Sequence, residues 1–515
     1  MYLTQGLHRA LQRQPHRTAL THVQGAVVRR HTVAEVLDAV ARQAAALAAA
    51  GVQPGDRVAL LGPNDDRLVI AIYACWWHGA VACPLNVRWS AAEVAGALAD
   101  SEPALVIADE ALSARLPAGP APWPTCTFEQ WRADAAAHAP TPDTRTGGDA
   151  LAALLYTGGT TGRAKGVMLT HANFWAASMT RGAELNNPPE SVSLLVAPLF
   201  HVAGLGRLVG QTLVGGACVT MHGFRPDEVV DAIEAHDITD TIVVPTMLQA
   251  LLEQPGFDAR RVQGLTRIAF GAAPMPPDLL ERALQAWPQA EFFQAYGLTE
   301  TAGAVCINLP QNHRSAEARA QGRQHSVGRA GLGAEIIVAD ESGRECPRGT
   351  VGEVLLRGPM VTPGYWRQPE ATAAAFRDGW FRTGDAGRMA DDGTLQIVDR
   401  LKDMIITGGE NVYSAEVEAV LRAHPAVAQA AVVGVPDVRW GEAVHAFLVL
   451  EACAAEAATV DALRVWCRER LAGYKCPRGV TVVDTLPLSA AGKVLKAVLR
   501  QQALDAAQAT QERAA

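Results

Sequence analysis

The stretch Tyr156–His171, YTGGTTGRAKGVMLTH, decides how the chain is read. It directly follows the apolar run LAALL at 151–155. Glycines 158, 159, 162 and 166 let the backbone bend sharply and come close to a ligand. The hydroxyls of Thr157, Thr160 and Thr161, exposed backbone N–H groups and the Lys165 ammonium then form a cradle for phosphate. A Walker-type loop requires G-x-x-x-x-G-K-[ST]. Here Ala164 precedes Lys165 and Gly166 follows it, so that template fails on both sides.

With 515 residues, 49% hydrophobic and 19% charged, the chain is globular and long enough for more than one core. A net charge of −8 without a lysine/arginine block argues against a nucleic-acid partner, and none is expected. Nine cysteines lie scattered with no CxxC pair, which suits a reducing cytosol and argues against structural zinc. The N-terminus, MYLTQGLHRALQRQPHR, has no apolar segment of signal-peptide length. The long apolar run Leu68–Leu85 is broken by His78, Gly79 and Pro84. It reads as a buried helix over about 67–78, capped by Asn64, and a core strand over about 80–83. A cytoplasmic protein without a transmembrane segment is expected, as a monomer or homodimer with room for peripheral membrane contact.

The first third alternates helix and strand signals. Thr32-x-x-Glu35 and Ser90-x-x-Glu93 are capping boxes ahead of amphipathic stripes. Pro54-Gly55-Asp56 turns into the strand VALL, and ALVIAD supplies another. Such alternation implies largely parallel sheets covered by helices. The Pro/Ala/Gly-rich region 116–149 reads as surface loop, and Gln311–Gln324 as a junction. GAEIIVAD, GEVLLRG and GTLQIVD suggest a small β-rich subdomain. Beyond about Arg400, helix 414–423, the strands AVAQAAVVG and AVHAFLVL, helix 460–471 and the strand VTVVD make a compact α+β module. The last fifteen residues read as a frayed helix or loose tail.

Further motifs follow the Gly/Thr stretch in order. They are PLFHVAG (198–204), FGAAPM (270–275), QAYGLTE (294–300), GEVLLRG (352–358), WFRTGD (380–385), DRLKDMIITGGENVYSAEVE (399–418) and PLSAAGKVLK (487–496). In this order and spacing the chain resembles the adenylate-forming enzymes of the acyl-CoA synthetase and luciferase superfamily. Within it, the similarity points to fatty-acyl-CoA ligases and 4-coumarate/benzoate-type CoA ligases. The resemblance implies an α/β fold. Its large N-terminal domain (1–399) has two αβ subdomains and a small β-rich one; a hinge at 400–402 and a small mobile α+β domain (403–515) follow. The implied function is an ATP-dependent acid–CoA ligase using Mg²⁺ and coenzyme A on a small-molecule carboxylic acid.

Carried over position by position, Thr157, Gly158, Gly159, Thr160, Thr161, Gly162 and Lys165 would hold the β- and γ-phosphates. Activating a carboxylate with ATP brings two anions together, so such donors must offset the repulsion. Glu300, assisted by Thr157, would hold Mg²⁺ with phosphate oxygens and waters completing the shell. Gly271, Ala272, Ala273 and Pro274 would wall the adenine pocket together with Gln294, Ala295, Tyr296, Gly297 and Thr299, the Tyr296 ring stacking on the base. Asp385 would accept the ribose hydroxyls, and Arg400 would add a ribose or phosphate contact. Lys493 would be the catalytic lysine that reaches the α-phosphate and the substrate carboxylate. Lys402 would be the hinge residue whose rotation withdraws Lys493 and brings in Gly408, Gly409 and Glu410 for the CoA thiol. Trp440 and Lys475 match positions near the CoA nucleotide and equally suit surface packing. His201 resembles the gate between the ATP and acyl sites, although a lone histidine beside apolar residues also suits a core position.

The phosphate loop departs from the family pattern where Gly158 replaces Ser and Ala164 replaces Pro. Val202, Ala203, Gly204, Val244, Ala295, Ala302 and Gly303, expected near the acyl pocket, are small or apolar. That composition suits a medium- or long-chain fatty or aryl acid, each buried CH₂ adding about 0.8 kcal/mol. An alternative acceptor is a carrier protein instead of CoA. A non-catalytic homologue is disfavoured by the joint presence of Lys165, Glu300, Asp385, Arg400 and Lys493.

Overall fold

The computed structural model describes residues 1–117, 122–157, 164–451, 459–489 and 492–514, with side chains up to 506. The chain divides into two compact units, Met1–Ile336 with Leu356–Phe381 and Ile337–Leu355 with Arg382–Ala515. The expected boundary at 400–402 falls inside the second of these units.

The first unit is built on a nine-stranded and a six-stranded sheet. In the larger sheet, the spatial order from Glu291–Leu298 runs through Arg267–Gly271, Asp240–Val243, Val192–Leu195 and Ala217–Met221 to Thr18–Gln24, and each of these pairs is parallel. The parallel strands point all their carboxyl ends to one edge, the edge where open α/β sheets bind ligands. Leu194, Val219, Ile268, Phe270 and Phe292 fill the core between this sheet and its helices. The smaller sheet ends on the antiparallel hairpin of Leu151–Thr157 with Lys165–Thr170, which carries the Gly/Thr stretch.

Local signals explain most helices. Both expected capping boxes form, Thr32 with Glu35 ahead of Val33–Ala49 and Ser90 with Glu93 ahead of Ala91–Ser101. The apolar run resolves into the buried helix Asp66–His78 and the strand Val81–Pro84. Its cap, however, is Asp65, whose carboxylate accepts from the Leu68 N–H. The Asn64 amide turns away and donates to the carbonyls of Leu195 and Ala197 while accepting from the Leu199 N–H. The region 116–149 is likewise more ordered than its composition suggests. It holds the strand Thr125–Thr127 and the helix Phe128–Ala136, started by a Thr127/Gln130 box and anchored by buried Phe128 and Trp131. Two short helices, Pro310–Arg314 and Ala316–Ala320, occupy the expected junction after 310.

In the second unit, Asp385–Met389, the far part of the strand Trp380–Met389, forms an antiparallel ladder with Leu395–Arg400. A separate five-stranded sheet follows, with Glu410–Val412, Ile405–Thr407, Gly441–Leu450 and Val427–Asp437 in spatial order and Gly479–Val482 parallel to Gly441–Leu450. Helices Ser414–Arg422 and Val460–Arg468 cover one face through Val417, Leu421 and Leu463. The tail is a helix, Lys496–Ala514, docked by the buried Leu499 beside Val433 and Phe447.

Candidate active site

Thr157 and Lys165 are cross-strand partners at the open end of their hairpin, so the loop between them begins and ends at one point. Gly158, Gly159, Thr160, Thr161 and Gly162 lie outside the described residues. The segment Thr362–Trp366 runs alongside the hairpin, with the Met168 N–H donating to Gly364 O and the Trp366 N–H to Gly166 O. This lays Tyr365 between two expected site residues. Its ring centroid is 5.0 Å from Lys165 Nζ, and its hydroxyl donates to Glu300 Oε1 at 3.0 Å. Burial and the neighbouring Glu300 carboxylate push the Tyr365 phenol well above its ordinary range, which keeps it a donor. The Thr362 N–H donates to the Glu300 carbonyl at 2.7 Å, fixing the same turn from its backbone side. Sequence reasoning missed Tyr365; the aromatic pair after Pro363-Gly364, inside a loop, was its one available signal.

The carboxyl edge of the parallel strands collects the other residues of this unit. Gly271 and Ala295 are register partners, and a Cβ on Gly271 would stand 2.2 Å from the Ala295 carbonyl oxygen, so only glycine fits. Ala272 then leaves the strand at φ +65°, a left-handed geometry strained for alanine, and leads into Ala273 and Pro274. On the neighbouring strand, Gln294 and half-buried Tyr296 precede a bulge between Tyr296 and Gly297. A short 3₁₀ turn, Thr299–Thr301, then carries Glu300. His201, half-buried and 4.8 Å from the Phe200 ring, stands beyond the strand Val192–Leu195 where the helix Val202–Val214 begins. The three bonds of Asn64 hold the turn leading to it. Buried Arg207 is bound to Asp240 and Ser193 at the amino ends of the same strands, on the opposite edge from these residues.

In the second unit, Asp385 and Arg400 are cross-strand partners whose side chains meet, Arg400 Nε lying 2.7 Å from Asp385 Oδ1. Thr383 Oγ1 accepts from the Asp385 N–H and donates to Val354 O, fixing a buried carboxylate beside a half-exposed guanidinium. Lys493 is exposed, and it is tied back to Ser489, whose N–H donates to Lys493 O and whose Oγ accepts from the Lys493 N–H. Lys402 is exposed in the short turn Leu401–Asp403. Gly408 and Gly409, at φ +60° and +84°, form the two-residue connection between Thr407 and Glu410 that a primed hairpin turn requires. Trp440 covers this turn, its carbonyl accepting from the Gly408 N–H at 2.8 Å. Arg439 and Arg478 lie 4.9 and 4.5 Å from the Trp440 ring centre, a basic and aromatic surface of which the sequence reading found only Trp440. Lys475 instead holds Glu416 through both carboxylate oxygens at 2.8 Å, which raises its pKa.

The donors fit the implied groups. Glu300 and Thr157 offer hard oxygen atoms, as Mg²⁺ prefers, and among the described residues no cluster of three His, Cys, Asp or Glu competes for a metal. Lys165 and Glu300, both expected site residues, thus meet on Tyr365, in the same unit as the strand ends around Gly271 and Tyr296. The chain belongs to the AMP-binding enzyme family, whose model matches residues 7–366, while that of its C-terminal domain matches 416–493. Feruloyl-CoA synthase from Amycolatopsis sp is 40% identical over 505 residues, 95% of this chain and 96% of that protein. The fatty acid–[acyl-carrier-protein] ligase ScoC from Streptomyces coeruleorubidus is 38% identical over 90% of this chain and 89% of its own. Among solved structures, ATP-bound MatB from Rhodopseudomonas palustris superposes with a TM-score of 0.86 at 32% identity, covering 98% of this chain and 99% of that one. These findings bear out the family, the two-part α/β fold and the ATP-dependent class read from the motifs. No helix among the described residues is long and apolar enough to cross a membrane.

Proposed function

We propose that this enzyme joins a mainly apolar carboxylic acid, a medium- or long-chain fatty or aryl acid, to coenzyme A. The carboxylate attacks the α-phosphorus of ATP, forming acyl-AMP and releasing pyrophosphate. The CoA thiol, losing its proton, then attacks the acyl carbon and AMP leaves. The observation that carries the adenylating half is the meeting of Lys165 and Glu300 on Tyr365. CoA as acceptor is supported by the near full-length similarity to feruloyl-CoA synthase.

In this reading Lys165 and the Gly/Thr loop neutralise the leaving pyrophosphate, and Glu300 with Thr157 holds Mg²⁺, which supplies further charge neutralisation when bound. Gly271–Pro274 and Tyr296 receive adenine, and Asp385 with Arg400 receives ribose. Lys493 bridges the reacting carboxylate and α-phosphate, and His201 separates the acyl and nucleotide sites. Turning at 400–402 then exchanges the Lys493 loop for the Gly408–Gly409 turn. Trp440, with Arg439 and Arg478 beside it, offers stacking and positive charge to the CoA nucleotide. Lys475, neutralised by Glu416, is a weaker candidate for that role. The enzyme works in the cytoplasm as a monomer or homodimer.

A second reading, loading of a carrier protein, is favoured by the similarity to ScoC. Incubation with a panel of fatty and aryl acids and Mg·ATP, with and without CoA, followed by mass spectrometry, separates the two. A CoA thioester supports the first reading. An acyl-adenylate that CoA leaves undischarged sinks it in favour of the second.

A further inference from the structure

A chain of hydrogen bonds ending in one ion pair runs in the second unit from the ribose pair to the base of the Lys493 loop. Arg400, whose side chain holds Asp385, donates its N–H to Asp399 Oδ1 at 2.8 Å. The other carboxylate oxygen of Asp399 accepts from Ser414 Oγ at 2.6 Å and from the Ala415 N–H at 3.2 Å, at the start of the helix Ser414–Arg422. Ser414 Oγ in turn accepts from Lys496 Nζ at 2.5 Å. That ammonium also lies 2.7 Å from Glu418 Oε1, which accepts from the Val432 N–H at 2.9 Å. Asp399, Ser414 and Glu418 are all buried.

Lys496 opens the last helix, directly beyond the turn that bears Lys493. The Leu495 N–H donates to Pro487 O at 2.8 Å, closing that turn onto the position before Lys496. Fixing Lys496 therefore fixes the base of the Lys493 loop. The chain also spans the residues where the enzyme is proposed to turn. Asp399 is held in its ladder opposite Ala386, on the near side of 400–402, whereas Ser414 and Lys496 lie beyond. Turning at Lys402 with the ladder in place separates Asp399 from Ser414.

We propose that Asp399, Ser414, Lys496 and Glu418 are positioning residues that set the Lys493 loop against the ribose pair for adenylation, and that the Asp399–Ser414 contact opens for the thioester step. This rests on the acid–CoA ligase reading above. A simple helix-docking role would make the same buried contacts, so the test must separate stability from positioning.

The variant Lys496→Met/Glu418→Gln removes both charges of the inner pair and keeps the packing volume, leaving no buried ion unpaired there. Acyl-adenylate formation should fall by between about tenfold and about a hundredfold, while thioester formation from supplied acyl-AMP stays within about twofold. Lys496→Arg should restore most of the loss. Amide hydrogen exchange of the intact chain should show lost protection at 492–495. Unchanged adenylation, or equal loss in both half-reactions with protection at 492–495 intact, overturns the proposal. A wild-type enzyme that adenylates no acid overturns the functional reading alone. The exchange comparison still decides the chain in that case, and unchanged protection at 492–495 refutes it.

Discussion

Tyr365 donates a 3.0 Å hydrogen bond to Glu300 while its ring lies beneath the Lys165 ammonium. One phenol thereby orients the expected metal ligand and the expected phosphate lysine, which are far apart in sequence. Removing the hydroxyl in Tyr365→Phe leaves the ring for Lys165 and frees the carboxylate to rotate. A hydrogen bond to a charged group is worth about 1.5–3 kcal/mol, so ATP–pyrophosphate exchange at limiting Mg²⁺ should fall roughly tenfold or more. Tyr365→Ala, which also removes the ring, should fall further. Equal Mg²⁺ dependence in wild type and Tyr365→Phe would dismiss the orienting role.

The Asp385–Arg400 pair makes a different prediction because its partners are unequally exposed. Asp385 is buried, whereas the Arg400 side chain is 41% exposed and can rehydrate when its partner is lost. Asp385→Ala should therefore raise the KM for ATP about tenfold or more with only a small fall in melting temperature, since half-exposed ion pairs add about 0–1 kcal/mol. Arg400→Lys should not behave as wild type, because an ammonium lacks the planar guanidinium fork. An unchanged KM for ATP in Asp385→Ala would remove the residue from the nucleotide site.

Lys493 is exposed, as the lysine proposed to leave the site between half-reactions needs to be. Lys493→Ala should cost the adenylating step about 3–4 kcal/mol, the typical effect of losing one donor to a developing charge. Thioester formation from supplied acyl-AMP should persist. Equal loss in both half-reactions would assign Lys493 to structure. Lys402→Pro should show the opposite split, slowing the thioester step more than adenylation, and unchanged kinetics in both would refute the hinge.

Much of this was legible in the sequence because it is local. The boxes Thr32/Glu35 and Ser90/Glu93 depend on residues three apart, and the Gly/Thr hairpin is bounded by two strands close in sequence. What escaped is what depends on distant partners. The helix Phe128–Ala136 sits in a Pro/Ala/Gly-rich region and is held by burying Phe128 and Trp131 against other segments. Asn64 looked like a helix cap, yet its amide serves carbonyls more than one hundred and thirty residues away, and Asp65 takes the cap. Tyr365, Arg439 and Arg478 gain meaning only from the residues that the fold lays beside them.

Three buried histidines predict how the first unit responds to acid. Burial lowers His22, His171 and His313 to about 4, from an ordinary value of 6.5. The unfolded chain therefore binds more protons than the folded one between pH 6.5 and 4. Stability is fully present above pH 6.5 and is lost as pH falls through that window, with a slope approaching about 1.4 kcal/mol per pH unit for each histidine. Urea midpoints should hold between pH 7.5 and about 6.5 and fall steadily from there to pH 5. His171→Phe, whose ring packs beside Trp76, should flatten that fall by one histidine's share. A midpoint that stays constant over this range contradicts the burial of the three rings.

The Gly408–Gly409 turn gives the sharpest steric test of the thioester step. Gly408 has φ +60°, and a Cβ there would stand 2.7 Å from the Trp440 ring. Gly408→Ala must therefore push the indole away or distort a turn that needs positive φ at both central positions. Lys165, Glu300 and the strand ends expected to receive adenine belong to the other unit. Acyl-AMP formation should stay near wild type, while thioester formation should fall about tenfold or more, the scale expected when a bound reactant is displaced by about an ångström. Trp440→Ala combined with Gly408→Ala relieves the clash but not the backbone strain. Because Trp440 is itself proposed to hold the CoA nucleotide, the double variant is read against Trp440→Ala alone: equal thioester rates in the two assign the Gly408→Ala loss to the ring contact, and a further fall in the double variant assigns it to the turn. Equal loss of adenylation in Gly408→Ala would remove this turn from the CoA half of the reaction.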